Sequence, residues 1–531
     1  MKKINLTEFT GANDTEVFAS AMEYLRSNPG TELIVPPGTY DITSPLAVEA
    51  MENVMRGNWG GNPQRIMFNP KYEYTRGISL DGQSGSIITA YGATLMVNGF
   101  MEPLSIINCS DVEVRGLTID HLRKPFSRGT VTELGPIDEE GKREAVIVFD
   151  KDCPIYEHTP ISLRIIFYDT EAKHNIYAYI CEYTFIDSHH IKAKLVGDTQ
   201  NLKNGTLYYT VHSFHSRPAI LIENAKNIRL TDVTIHSQPG MGVVGNRSEN
   251  ITMTRLSVVP ADGYHMSTDT DATHFTSIKG LLRFEDCTFD GQGDDFTNVH
   301  AYYQAVIGKE GNNTYLIQEK TPDGTHAQTL DYPDIGDTME LTRKSTLEYL
   351  DSYTVVDCVP MPDEWMCKVT LDRPLPDETD GLILSDVTRL PRLEVVGCKA
   401  SHHFARSILI KTRGALVEGC TFRAVQGPAI VAAAESWWSE GVCPSDVIIR
   451  NNHVIGCAET WGEAAGVVVK SDCENAVTRN IKNVVIENNI IEAPNCAHGI
   501  YVRGVDGVKI SSNVITCHGE PVVIENCSVI E

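Results

Sequence analysis

LEVVGCKA (393–400), ALVEGCTF (415–422), DVIIRNNHVIGC (446–457), NVVIENNIIEA (483–493) and GVKISSNVITC (507–517) are variations on one short theme. Each contains a strand-like run rich in Val and Ile that ends on a small or amide residue. The spacing decides the fold. Cys398 and Cys420 are 22 residues apart, Cys496 and Cys517 are 21 apart, and the related units NIRLTDVTIHS and NITMTRLSVV start 23 apart, at Asn227 and Asn250. Short strands divided by Asn and Gly at a period near 22 mark a solenoid whose chain returns beside itself once per coil. Residues one period apart then become hydrogen-bonding neighbours on strands about 4.8 Å apart. The expected class is all-β, a right-handed parallel β-helix.

Such a stack needs its ends covered, because an open last coil presents unpaired strand edges. Asp14 is the expected N-cap of a capping helix, with Val17, Phe18, Ala21, Met22 and Leu25 at helical spacing before Asn28-Pro29-Gly30 ends it. The strand LIVPPGTYDI (33–42) follows, an opening that resembles pectate-lyase-like β-helix proteins. Two stretches break the rhythm. REAVIVF, SLRIIFYD, NIYAYICEYTF and HIKAKLV alternate apolar and polar residues, as do NTYLIQE, SYTVVDCV and CKVTLDRPL. These predict two inserted antiparallel β-barrel or β-sandwich domains, 128–213 and 307–390. The β-helix is then divided into 1–127, 214–306 with the catalytic coils, and 391–531. Extra length looped out of a coil costs little, and the insertions are expected to wall the cleft or support homo-oligomerisation.

The chain has 531 residues and a formal charge of −25, with no basic run, which argues against a nucleic-acid partner and leaves only a local basic groove for one. No segment approaches the roughly 20 apolar residues of a membrane span, so no membrane is expected. The start MKKINLTEFTGAND has no apolar stretch behind its lysines, which leaves a cytoplasmic protein or a secreted or periplasmic one whose signal is absent from this chain. Many of the fourteen cysteines close apolar runs, as at Cys287, Cys398, Cys420, Cys457 and Cys527, and read as reduced core residues. No C-x-x-C pair suggests structural zinc. Neither a metal nor a cofactor is expected.

The densest chemistry is ADGYHMSTDTDATHFTSIKGLLRFEDCTFDGQGDDFTNVHAYY (261–303). Asp271 precedes Asp294 by 23 residues and Asp295 by 24, one coil, so the three should converge on one face. Gly291 and Gly293 permit the bend that lets both adjacent aspartates reach a cleft. Glycoside hydrolysis needs a protonated carboxyl beside the leaving oxygen and an ionised one that activates water or attacks the sugar. Crowded carboxylates supply both states, since they cannot all ionise cheaply. The competing reading of such an Asp/Gly-rich run is a calcium site or turn chemistry.

Sugars bind through stacked aromatic faces and matched polar groups. His274, Asn298 and His300 flank the aspartates. Arg406 and Lys411, in HHFARSILIKTRG, fall one or two coils on once the insertion is discounted. Trp437, Trp438 and Glu440 sit in AAAESWWSEGV, with one tryptophan expected to face the cleft and the other to pack inward. Asp120 and Arg123, before the first insertion, either shape the pocket or form a surface ion pair.

The segments IDHLRKPFSRGTV (119–131), DATHF (271–275), GDDFTNVHAYY (293–303), ESWWSEGV (435–442) and DVIIRNN (446–452) together resemble glycoside hydrolase family 110. These are bacterial exo-acting α-1,3-galactosidases whose β-helices carry β-barrel insertions. The resemblance implies release of a terminal α-linked galactose from the non-reducing end of an oligosaccharide or polysaccharide, with inversion at the anomeric carbon. It implies Asp294 as general acid and Asp271 with Asp295 as the groups that position and deprotonate water. This chain departs from the family at Ala301-Tyr302, where a glycine usually follows the histidine, and in its lack of a secretion signal.

Three other readings compete. Polygalacturonases share a similar aspartate set and a later Arg-Ile-Lys, half matched by Leu409-Ile410-Lys411, but their Gly-His-Gly is not found here. A calcium-dependent polysaccharide lyase would lose activity to chelator and give an unsaturated product. A non-catalytic carbohydrate-binding β-helix would tolerate loss of the acids.

Overall fold

The computed structural model describes residues 1–67, 72–161, 165–172, 174–318, 331–459 and 464–530. Two long parallel sheets run the length of the molecule. One holds 22 strands, and the other stacks Arg76–Asp81, Glu102–Ile107, Ile220–Glu223, Val243–Asn246, Thr273–Thr276, Thr297–Tyr302, Ile408–Lys411, Ile430–Glu435, Ala464–Asp472, His498–Arg503 and Val522–Glu525 in sequence order. The register reproduces the sequence period: Ile228 lies beside Ile251, Leu393 beside Ala415, Thr273 beside Thr297, and Ile408 beside Ile430. The chain is a parallel β-helix.

Alternation along each strand fixes what faces inward. Phe275, Val299, Ile408 and Ile410 enter one continuous core that runs from Leu6 to Val508, so His274, Asn298, His300 and Lys411 point outward. Within the coils that carry the aspartates, Phe289 stacks on Phe296 with ring centroids 3.8 Å apart, and Phe284 meets Phe296 edge-on. Amides lock later coils in register: Asn452 donates to Asn489, which donates to Asn513, both at 2.9 Å. All fourteen cysteines are free. Cys287, Cys398, Cys420 and Cys457 are core residues, whereas Cys527 is only partly buried and Cys181 is exposed.

The helix Asp14–Ser27 covers the first coil with Phe18, Ala21, Met22 and Leu25. Its N-cap is Asn13 rather than Asp14, because the Asn13 side chain accepts from the Glu16 amide at 3.0 Å. Asp14 lies in the first turn and accepts instead from the Asp41 amide at 2.8 Å. A second helix, Pro45–Met55, packs Ala50 and Val54 on Phe100 and was not foreseen.

Antiparallel strands between Phe126 and Val211 form a seven-stranded sheet with its own core, and those between Gln304 and Asp386 form a closed barrel. The opening of SLRIIFYD (162–164) and the last residue of NTYLIQE (319) lie outside the described residues.

Candidate active site

Thr273 of one coil pairs with Thr297 of the next, and Thr297 with Ile408 of the one after. Counting back two residues along each chain sets Asp271, Asp295 and Arg406 in a row at the entry to three neighbouring strands. The corner before this row is tight. A Cβ on Gly293 would stand 2.1 Å from the Asp269 carbonyl oxygen, and Gly291 adopts a left-handed φ of +66°. Only glycine lets the coils approach so closely while the chain swings both Asp294 and Asp295 to one side.

The result is convergence: one carboxyl oxygen from each of Asp271, Asp294 and Asp295 lies within 4.8 Å of the other two. They line a cavity of ≈ 300 Å³ together with Phe214, His215, His274, Asn298, Arg406, Trp438 and Glu440. Asp294 is half-buried, while Asp271 and Asp295 are buried. Two larger hollows, of ≈ 530 and ≈ 610 Å³, lie elsewhere, and neither gathers these acids.

Arg406 and Lys411 organise the acids. The Arg406 backbone amide donates to Asp295 Oδ1 at 2.8 Å, its Nε reaches the same oxygen at 3.3 Å, and Nη2 reaches Oδ2 at 3.3 Å. Its Nη1 donates to Glu435 at 2.9 Å. Lys411, fully buried, donates to Glu440 at 2.8 Å and to Asn298 at 3.0 Å, and its ammonium lies 2.7 Å from Glu435. Asn298 in turn donates to Glu440 at 2.9 Å. A cation site is the alternative reading of three close carboxylates, and here the Arg406 guanidinium already sets a positive charge against Asp295.

Five carboxyl groups therefore face two cations, and their protonation divides accordingly. Burial pushes Asp295 up to about 6, opposed by Arg406 and reinforced by Asp294. Burial, then the charges of Asp295 and Glu440, raise Asp271 well above the ordinary carboxyl range. Glu435 is also buried, yet Lys411 and Arg406 prevail and hold it low. Burial works against Lys411, but Glu435 and Glu440 keep it charged. Asp271 and Asp295 in the cavity are thus raised while Glu435, outside its lining, is held low, and the perturbed pair marks the cavity as a candidate site for proton transfer.

His274 lines the cavity and meets Asp271, whereas His300 lies behind it against His274 and does not line the cavity. Trp438 lines the cavity, and Trp437 lines a separate depression with Arg343, Lys344 and Glu474. The expected inward packing of one tryptophan is incorrect: they are 65% and 52% exposed, because the loop between Glu435 and Glu440 stands proud of the coil. Asp120 and Arg123 do not pair. Asp120 binds Lys124 and Ser237, and Arg123 binds Ser127 and backbone carbonyls. No residue of 307–390 lines the cavity among the described residues; the wall comes from Phe214 and His215, where the chain returns from the first insertion. Glu435 was missed, although it opens the quoted ESWWSEGV and ends the strand Ile430–Glu435, whose 22-residue step from Ile408–Lys411 was the signal that could have placed it beside Arg406 and Lys411.

No protein-family profile matches the chain. Curated relatives do. α-1,3-Galactosidase A of Bacteroides fragilis is 24% identical over an alignment covering 93% of this chain and 83% of that protein. α-1,3-Galactosidase B of Phocaeicola vulgatus is 23% identical over 97% of this chain and 89% of that protein. Among solved structures, the A-module of the mannuronan C-5 epimerase AlgE4 from Azotobacter vinelandii aligns at a TM-score of 0.42 with 11% identity, covering 99% of this chain and all of that one. A family 28 exopolygalacturonase from Yersinia enterocolitica also aligns at 0.42, with 10% identity, covering 99% and 78%. Similarity to the curated relatives over nearly the whole length identifies this β-helical chain as a glycoside hydrolase related to the α-1,3-galactosidases.

Proposed function

We propose that the protein removes a terminal α-linked galactose from the non-reducing end of an oligosaccharide, with inversion. The observation that carries the hydrolase part of this reading is the meeting of Asp271, Asp294 and Asp295 in one cavity, with Arg406 bound to Asp295; their oxygens, within 4.8 Å, lie closer than the about 6.5–9.5 Å usual for inverting pairs, so the spacing itself does not support inversion. A volume of ≈ 300 Å³ is at the small end for ligand sites, which suits one terminal sugar better than a polymer threaded through a groove. Asp294, the most accessible of the three, protonates the departing glycosidic oxygen. Asp295, held by Arg406, takes a proton from the water that attacks C1, and Asp271 helps to hold that water. The C1–O bond to the leaving group breaks as the C1–O bond to water forms, and the two protons restore neutral products. Trp438 offers an apolar face to the sugar C–H groups, and Glu440 and Asn298 offer hydroxyl partners.

The inverting outcome rests on the family resemblance. The names of the relatives support galactose and the α-1,3 linkage. The fourteen free thiols suit a reducing compartment, which supports a cytoplasmic location. The test is a panel of aryl α- and β-glycosides with the first-formed anomer followed by proton NMR. The expected result is turnover of the α-galactoside with β-galactose appearing first. Initial α-galactose would overturn inversion, and inertness toward every α-galactoside would overturn the substrate.

A further inference from the structure

Behind Asp271 lies a row of polar contacts that ends on a backbone carbonyl. Asp271 Oδ2 is 2.7 Å from His274 Nδ1, His274 Nε2 is 2.8 Å from His300 Nε2, and His300 Nδ1 is 2.9 Å from the carbonyl oxygen of Ala301. The two imidazoles meet edge to face, with centroids 5.0 Å apart and planes at 84°. Both histidines are buried, on adjacent coils of the same sheet, at paired register positions offset by two residues.

Hydrogens can be counted along this row. A carbonyl oxygen only accepts, so His300 carries its hydrogen on Nδ1. His300 is fully buried, and burial, His274 and Lys411 oppose a second proton there more than Glu440 favours it. Its Nε2 is therefore a bare acceptor, and His274 must donate from Nε2. Three contacts need three hydrogens, whereas two neutral imidazoles bring two. The third lies between His274 Nδ1 and Asp271.

We propose that Asp271, His274 and His300 form a proton-holding chain that keeps Asp271 a neutral carboxylic acid in the resting enzyme, leaving Asp295 as the sole base for water. Asp271 then donates through Oδ2 to His274 and presents its other oxygen to the cavity as a hydrogen-bond acceptor. It orients water without removing a proton. The surroundings agree: burial, Asp295 and Glu440 disfavour an ionised Asp271 more than Arg406 and the Asp295 backbone amide favour it. An ionised Asp271 would bring a further negative charge next to Asp295 and make the base harder to ionise. His274 and His300 are thus positioning residues acting through Asp271. The charged or titratable groups facing the row from the packed elements are Asp295, Arg406, Glu440 and Lys411.

This assignment deepens the hydrolase reading and rests on it for the role given to Asp271, but the proton count can be read without substrate. In the ¹⁵N spectrum of histidine-labelled protein, assigned with His274→Gln and His300→Phe variants, His300 is expected to be protonated on Nδ1 only and His274 on Nε2 only. An N–N coupling should cross the contact between them. Protonation of His274 on Nδ1 would overturn the proposal even in an active enzyme, and the expected pattern would stand even if no galactoside were cleaved. In His300→Phe, His274 loses its acceptor, returns to the Nδ1–H form and ionises Asp271. The acid limb of kcat/KM should then move up by about one pH unit. A uniform loss of activity with an unmoved limb would mean that His300 serves only packing.

Discussion

Arg406→Gln perturbs the site at its most informative contact. The guanidinium supplies two side-chain contacts to Asp295 and one to Glu435, while the backbone amide that also binds Asp295 survives the substitution. Two consequences follow. Removing one partner of a buried ion pair costs about 3–5 kcal/mol of stability, because the remaining charge is left uncompensated. The side chain of Arg406 is 22% exposed against 4% for Asp295, so little of this loss is recovered by solvent. The second consequence is in titration. Asp295 must be ionised to accept a proton from water, so activity should fall as pH drops through about 6 in the wild type. Loss of an adjacent cation raises a carboxyl by about 1–3 pH units, and the acid limb of kcat/KM should shift upward by that amount. The assay is a pH series of initial rates on an aryl α-galactoside, with thermal unfolding measured in parallel. A folded variant whose acid limb coincides with that of the wild type would refute the argument that Arg406 keeps Asp295 ionisable.

Asp294→Asn should lower kcat by about 10²–10⁴-fold with KM little changed, since the acid acts mainly in the transition state; steady-state kinetics with isothermal titration of substrate check both halves. Trp438→Ala should cost roughly 0.5–1.5 kcal/mol of sugar stacking, an increase of about 2- to 12-fold in KM, whereas Trp437→Ala should leave kinetics unchanged because it faces another depression. Lys411→Met should destabilise the fold by about 3–5 kcal/mol, read by denaturant unfolding, because Glu435 and Glu440 lose a fully buried counter-charge.

Much of the architecture was legible because a solenoid writes its geometry as a period. The 22-residue step from Cys398 to Cys420 is the same step by which Lys399 pairs with Thr421, and the 24-residue step from Asp271 to Asp295 is that of Thr273 to Thr297. The period therefore located the acids relative to one another. The same 22-residue step from Ile408 to Ile430 brings Glu435 near Lys411 and Arg406, but the period alone does not tell which cation its carboxyl meets. Nor could it assign the tryptophans: alternation predicts opposite faces for adjacent residues in a strand, and Trp437 and Trp438 lie in a turn outside the ladder. Asn13 displaced Asp14 as N-cap for a local reason. Both side chains can cap, and the strand amide at Asp41 gives Asp14 a different partner. The histidine row was visible only as two residues beside the acids, since its meaning depends on which nitrogen meets which acceptor.

The most direct test of the central claim is a crystal structure of the Asp294→Asn variant with an intact α-galactoside. The account predicts the terminal sugar in the cavity beside Trp438, with its glycosidic oxygen against residue 294 and a water at C1 bound to Asp295. A sugar seated in another hollow, or one whose C1 lies out of reach of all three acids, would contradict it.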